Sequence, residues 1–231
     1  MRFMIQRVST IAAVIAAAGL ASSPAFAANA NSTVHSAQDR VNDAAKLVQQ
    51  MERNPSLAAV LDQAKGVFII PHYGRGGFII GGQGGGGVVL VKHAMAWSAP
   101  VFYSIGGGSI GAQAGGEGGA IAMILMTRKA VDHFQNSGGS WSLNGGAGLT
   151  VVNWSGKART NTNRGDVILW SNTSGLYGGL TASVTRISPD NQMDRAYYQR
   201  PVTSREILAG NVTDPYADPV RTALGSRVAS R

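Results

Sequence analysis

Gly66 to Val91 reads GVFIIPHYGRGGFIIGGQGGGGVVLV, and two kinds of segment alternate within it. Val67-Phe68-Ile69-Ile70, Phe78-Ile79-Ile80 and Val88-Val89-Leu90-Val91 are short runs rich in β-branched and aromatic residues, which predicts strands. Gly74-Arg75-Gly76-Gly77 and Gly81 to Gly87 separate them. Glycine weakens a strand interior, so glycine at this density predicts bulges, sharp bends or backbone packed closely on backbone. A strongly curved sheet or small barrel needs such devices. The alternation continues through Val101-Phe102-Tyr103, Gly106 to Gly108 and Ile121 to Met126. From Gly66 to Thr127 the charged residues are Arg75, Lys92 and Glu117, and charges excluded from a core belong at its edges.

Helices are expected on both sides of this region. Val34, Ala37, Val41, Ala44, Val48 and Met51 recur at three- and four-residue steps and share one face of a helix. That stripe could insert into a bilayer or close a core. Asp39 and Asp43 beside Arg40 and Lys46 favour the core, because interfacial helices are rich in Lys and Arg. Asn54-Pro55 interrupts the pattern and Leu57 to Ala64 reads as a second, shorter helix. Thr127 to Asn136 is helical with Ala130, Val131 and Phe134 on one side, and Gly138-Gly139 ends it. Trp141-Ser142-Leu143, Leu149 to Val152, Val167 to Trp170 and Leu176 to Val184 read as further strands. Asp190 to Arg200 and Ser204 to Leu208 read as short helices, the latter with Thr203 as N-cap and Glu206 placed to complete a capping box.

The fold class expected is therefore α+β: a Gly-rich, strongly curved antiparallel β-sheet or small barrel with packed N-terminal and middle helices. A transmembrane barrel is the rival, but its strands run about 9 to 11 residues, and several runs here are shorter.

The chain begins with Arg2 and Arg7, an apolar run from Val8 to Leu20, and Ala25-Phe26-Ala27, the pattern of a cleaved signal peptide. The expected organisation is residues 1–27 as signal peptide and 28–66 as a small, polar leader followed by the N-terminal helices. Residues 67–210 form the Gly-rich β core of the same domain, and 211–231 a basic, frayed C-terminal tail. With no Cys there is no disulfide and no thiolate metal site. The formal net charge of +8 favours anionic partners, and export argues against nucleic acid.

The chemical motifs fail their context tests. Gly82-x-Gly84-x-x-Gly87 and Gly106-x-Gly108-x-x-Gly111 match a dinucleotide loop, which needs a helix N-terminus directly after the glycines. The first runs into Val88-Val89-Leu90-Val91 instead. Gly107-Gly108-Ser109-Ile110-Gly111 fits a nucleophile elbow, but a poor helix former follows and the only later His is His133. His35, His72, His93 and His133 lack metal-ligand spacing. Trp97, Trp141, Trp154, Trp170, Tyr73, Tyr103 and Tyr177 suit either membrane-interface anchoring or core packing, with packing favoured for most.

Several segments carry a resemblance to the SYLF family of lipid-binding domains. They are Ala64-Lys65-Gly66-Val67-Phe68-Ile69-Ile70-Pro71, Gly76-Gly77-Phe78-Ile79-Ile80-Gly81-Gly82, Gly87-Val88-Val89-Leu90, Trp97-Ser98-Ala99-Pro100, Gly107-Gly108-Ser109-Ile110-Gly111-Ala112-Gln113, Ala130-Val131-Asp132-His133-Phe134, Ser174-Gly175-Leu176-Tyr177-Gly178-Gly179 and Ala196-Tyr197-Tyr198. The match spans about Ala44 to Gly210. The resemblance implies binding of membrane phospholipid, phosphoinositides in eukaryotic members, some of which bind actin through a separate segment. A signal peptide would place this chain outside the cytoplasm, in the periplasm or peripherally on the envelope membranes, where actin is not an expected partner. The expectation is a non-enzymatic module with no cofactor that binds anionic phospholipid. The basic residues flanking the uncharged β region, Lys65, Arg75, Lys92, Arg128 and Lys129, are the candidate headgroup contacts. The alternatives are a structural envelope protein without a lipid ligand, and a serine hydrolase using Ser109.

Overall fold

The computed structural model describes residues 24–77, 80–94, 96–110, 115–136, 140–142, 148–154, 165–173 and 184–225. In chain order the elements are α1 Pro24–Glu52, α2 Pro55–Gln63, β1 Gly66–Gly77, β2 Ile80–His93, β3 Ala96–Trp97, β4 Val101–Ile110, β5 Gly115–Leu125, α3 Arg128–Asn136, β6 Trp141–Ser142, β7 Val151–Asn153, β8 Val167–Ser171, β9 Val184–Pro189, α4 Asn191–Tyr198, α5 Ser204–Leu208 and α6 Pro219–Gly225. The strands form one strongly curled half-barrel in the order β6-β9-β4-β2-β1-β5-β8-β7, with β3 paired to β2. The expected α+β class is what is found. The pairing is antiparallel except between β7 and β8, which run parallel, so the sheet is mixed where a purely antiparallel one was expected.

The apolar halves of the strands are buried on both faces. Phe68 packs edge-on against Phe134 of α3 with ring centroids 5.6 Å apart, and Tyr103 packs against the same ring at 5.2 Å. On the opposite face Phe102 meets Tyr197 of α4 at 5.2 Å, and α1 lies over β1 and β2. Two covered faces explain why these runs are continuously apolar and do not alternate. Each fully buried side chain of this kind contributes roughly 1.5–3 kcal/mol. Val67, Phe68, Ile69, Ile70, Val88, Val89, Leu90 and Ile121 to Leu125 therefore hold the sheet together.

Pro71 sits inside β1, a central strand, where its missing N–H would break a ladder. The register shifts there on both sides, between Ile69 and His72 against β2 and between Ile70 and Tyr73 against β5. The resulting bulge separates the apolar half of the strand from its glycine half. Here the structure corrects the sequence reading, because the glycine clusters continue the strands. Phe78 and Ile79 lie outside the described residues, and Ile80 opens β2. Gly85 fits the bulge because a Cβ there would stand 2.4 Å from the His72 carbonyl oxygen, and at Gly87 it would stand 2.1 Å from that of Ile69. At Gly86 it would meet the Arg40 guanidinium of α1 at 2.4 Å. At Gly82 and Gly108, by contrast, it would meet nothing within 4 Å.

Two other expectations change. Ala28 to Ser32, read as a leader, continues α1, which suits the high helix propensity of its alanines. The stretch from Asn211, read as a frayed tail, carries α6, whose Val220, Ala223 and Leu224 are buried and which packs on α1. The strand read at Leu176 to Val184 lies outside the described residues except Val184, which begins β9. The α1 stripe itself is core, with Ala37, Val41, Ala44, Val48 and Met51 all buried. The Thr203–Glu206 capping box forms in full.

Where β9 ends at Pro189, the ladder of β4 is finished by the turn into α4. The Asp190 N–H donates to the Phe102 carbonyl at 2.9 Å, and the Phe102 N–H donates to Asp194 Oδ1 at 2.9 Å. Asp194 is fully buried. Burial, with Asp190 adding to it, pushes its carboxyl up to about 7 from 3.8. Asp218 at the start of α6 is also shifted upward, again chiefly by burial.

Two predictions follow from this packing. Gly87→Ala forces backbone apart and should cost about 3 kcal/mol in chemical denaturation, whereas Gly82→Ala should stabilise by about 0.5 kcal/mol by restricting the unfolded chain. Equal effects of the two substitutions would contradict the geometry. The second concerns pH. A carboxyl raised in the folded state contributes stability that is present below its unfolded value of 3.8 and is lost as pH rises through about 7. Melting temperature should therefore fall between pH 5 and pH 8, by an amount on the order of 1–3 kcal/mol in stability. Asp194→Asn, which keeps the acceptor for Phe102, should flatten that slope; an unchanged slope in this variant would remove Asp194 as its source.

Candidate functional site

The β-ladder brings together four of the five basic residues singled out in the sequence. Lys65 precedes β1, its N–H donating to the Leu125 carbonyl at the end of β5 (2.8 Å) and its carbonyl accepting the Lys92 N–H at the end of β2 (2.9 Å). Arg128 and Lys129 open α3 immediately after β5. Lys92, Lys65 and Arg128 thus stand side by side at one end of three neighbouring strands.

Their side chains differ in freedom. Lys92 donates to the Asp62 carbonyl near the C-terminal end of α2 at 3.0 Å, and its ammonium lies 5.6 Å from the Trp97 ring centroid. A cation there complements the helix dipole. Lys129 donates to the Gly148 carbonyl and stands 3.7 Å from Asp166. The Thr150 N–H and the Thr127 hydroxyl hold that carboxylate below its ordinary range, with Lys129 adding to the effect. Lys65 and Arg128 are exposed and make no side-chain hydrogen bond or ion pair among the described residues. Of this group they are the cations available to a partner.

Arg75 is not in this cluster. It lies in the glycine half of β1, in register with Gln83 on one side and Glu117 on the other; its side chain is outside the described residues. Ten residues of strand separate it from Lys65, roughly 30 Å at strand rise. Around Arg75 the register produces an unusual surface. Cross-strand partners share a face, so Gly74 and Gly76, Gly82, Gly84 and Gly86, Gly106 and Gly108, and Gly116 and Gly118 all lie on the face that α1 covers lower down. That part of the sheet presents backbone without side chains across four strands.

Ser109 lies within β4 opposite Gly81, and the next element is a strand, so no strand–turn–helix elbow forms around it. Gly82, Gly84 and Gly87 are all interior to β2. His72 contacts Asp43 at 3.0 Å, His93 the Leu208 carbonyl at 2.6 Å, and His133 the Trp141 ring at 5.3 Å. Among the described residues no group of three or more His, Asp or Glu could hold a metal ion. Trp97 and Tyr103 are buried, and Trp141, Trp154 and Trp170 pack on the core half-buried, as expected of packing aromatics.

A second feature escaped the sequence. Between β4, α3, α4 and α5 lies a cavity of about 320 Å³, walled by Tyr103, Phe134, Pro189, Asn191, Ser204 and Arg205 among others. Behind Ser204 lies Asp194, whose Oδ2 is buried and without a hydrogen-bond partner. Asp194 sits in an amphipathic helix among polar neighbours, and only the long-range docking of α4 on β4 turns it inward.

Among known proteins, the family model described as "Ysc84: Las17-binding protein actin regulator" matches residues 106–227. Protein YSC84 of Saccharomyces cerevisiae is 30% identical over 175 residues, 73% of this chain and 37% of that one. The SH3 domain-containing protein PJ696.02 of Schizosaccharomyces pombe is 28% identical over 181 residues, covering 74% and 41%. The SH3 domain-containing YSC84-like protein 1 of Bos taurus is 28% identical over 165 residues, covering 68% and 47%. The chain thus spans less than half the length of these curated relatives, and no solved structure matches it. The names are those of binding and regulatory proteins and not of enzymes. With a family model covering more than half of its residues and its curled, glycine-rich sheet assembled as described, the chain belongs to the Ysc84 family of SYLF domains.

Proposed function

We propose that the chain is a non-enzymatic phospholipid-binding module of the cell envelope, docking on anionic headgroups with the sheet end that carries Lys65, Lys92 and Arg128. The observation that carries this reading is the ladder pairing of Lys65 with Lys92 and Leu125, which fixes the backbone of Lys65 and Lys92 at one end of the sheet, with Arg128 three residues beyond Leu125. Backbone already fixed by the ladder need not be ordered again when it meets a surface, which lowers that part of the entropy cost. Each cation near an anionic membrane contributes about 1 kcal/mol, so Lys65 and Arg128 together supply a factor of about thirty in binding. Such an array suits a reversible, peripheral association. No described helix is long and apolar enough to cross a membrane, a statement that leaves β-barrels aside.

On this reading residues 1–27 direct export and the lipid is met in the periplasm or on the faces of the envelope membranes. The description of the family points to Las17 and actin regulation, and a Saccharomyces cerevisiae relative is named LAS seventeen-binding protein 3. An exported chain would meet neither, so co-sedimentation with purified actin would count against export as its setting.

The test is vesicle co-sedimentation at low and high salt. Wild type should bind vesicles containing phosphatidylglycerol and lose that binding as the Debye length falls to about 3 Å at 1 M salt. Lys65→Glu with Arg128→Glu, both exposed positions, should reduce binding by at least about tenfold at low salt with the melting temperature unchanged. Undiminished binding by the folded double variant would exclude this edge, and no binding to any vesicle by wild type would favour a purely structural envelope role.

A further inference from the structure

We propose that the cavity between β4, α3, α4 and α5 binds a primary ammonium linked to a phosphate, the chemistry of phosphoethanolamine, either free or as a lipid headgroup. This goes beyond the basic-edge reading and does not depend on it.

The argument starts from a count of protons. Tyr103 gives its only hydroxyl proton to the Phe134 carbonyl at 2.7 Å. Asp194 Oδ1 accepts the Phe102 N–H, and Oδ2 accepts nothing. The Ser204 hydroxyl stands beside both the Tyr103 oxygen and the Asp194 carboxylate, near enough to favour the charged form of each, without closing a hydrogen bond to Oδ2. With the Asp194 carboxyl ionised, the single Ser204 hydroxyl proton stands between the Tyr103 oxygen and an Oδ2 that has no donor. Buried polar groups are normally satisfied, so an orphan of this kind calls for an explanation. Ser204 lines the cavity. A donor placed in the cavity against Ser204 Oγ lets Ser204 turn its own proton to Asp194 Oδ2, which closes that deficit.

Charge decides which donor. The charged group beside Asp194 is Asp190 on the turn before α4, which is 3.6 Å from Arg40 of α1. Arg40 answers Asp190, and Asp194 is left as a buried carboxyl without a cation. A neutral hydroxyl would supply the proton but not the charge; an ammonium supplies both. Arg205 is an exposed member of the wall and Asp194 lies buried behind Ser204, so a carboxyl stands behind one side of the cavity and a guanidinium belongs to its exposed side. A ligand with ammonium inward and phosphate outward matches that polarity, with Arg205 as phosphate partner. Tyr103, Phe134 and Pro189 supply an apolar side for the methylenes between. The volume of about 320 Å³ sits at the small end of ligand pockets, which run from about 300 Å³.

Choline is the discriminating comparison, because a quaternary ammonium has the charge and no N–H. Amide NMR spectra of the full chain, titrated with O-phosphoethanolamine and in parallel with phosphocholine, should show the Asn191 and Ser204 signals moving with the first at about tenfold lower concentration than with the second. Ser204→Ala and Asp194→Asn should each weaken phosphoethanolamine about tenfold, with circular dichroism unchanged. Should Asp194→Asn fail to fold, Ser204→Ala carries the comparison alone. A second arm measures wild type on phosphatidylethanolamine and phosphatidylcholine vesicles at high salt, where the basic edge is screened. Retention on the former assigns the ligand to the membrane, and free phosphoethanolamine binding without vesicle retention assigns it to a soluble molecule. Equal response to both ammonium compounds, or no response in either arm, overturns the proposal.

Discussion

Every other part of this molecule is arranged around β1, which hydrogen-bonds antiparallel to β2 on one side and β5 on the other and is buried on both faces from Val67 to Ile70. A strand in that position can expose no polar side chain over its buried half, so its sequence must be continuously apolar there. Its neighbours obey the same condition at Val88 to Val91 and Ile121 to Leu125. Charges are driven to the strand ends, and the ladder, not the sequence spacing, decides which charges become neighbours. Lys65 and Lys92 are 27 residues apart in the chain and bonded through their backbones.

The same strand divides the sheet into two regimes at the Pro71 bulge. Below it, side chains on both faces build the core. Above it, the strands persist as backbone ladder with glycine at successive positions on one face of four strands, from Gly116 and Gly118 across to Gly106 and Gly108. Only part of that glycine is required by crowding. Gly85 and Gly87 have no room for a Cβ against neighbouring backbone, whereas Gly82 and Gly108 face open space, so the fold alone does not account for the absence of side chains there. Glycine in a strand loses more conformational entropy on ordering than any other residue, and the apolar half must offset that cost.

Membership of the Ysc84 family is shared with proteins of which this chain covers less than half. A function carried by the matched part must be carried by surfaces of the domain itself. The structure offers two: an edge where exposed cations are held at fixed spacing, and a small cavity whose wall leaves one buried carboxyl oxygen without a donor. The first is suited to a surface and the second to a single small group, and one molecule could present a charged membrane and a headgroup to both.

Sequence alone determined what depends on near neighbours. The stripe from Val34 to Met51 specifies a helix with one buried face, the Thr203–Glu206 box specifies where α5 starts, and the β-branched runs specify strands, because each of these choices is made by groups within a turn or a few residues. The tertiary structure decided what depends on contacts across the chain. Glycine clusters that read as separators became strand interiors because neighbouring strands supply the hydrogen bonds that glycine's weak propensity cannot. Asn211 to Gly225 is ordered because α1 covers Val220, Ala223 and Leu224. Lys65, Lys92 and Arg128 meet while Arg75 lies at the far end, since the antiparallel register of β1 with β2 and β5 reverses chain direction between them. Asp194 became a buried carboxyl with an unpartnered oxygen behind the cavity wall because docking of α4 on β4 removes it from water, a desolvation that no local pattern encodes.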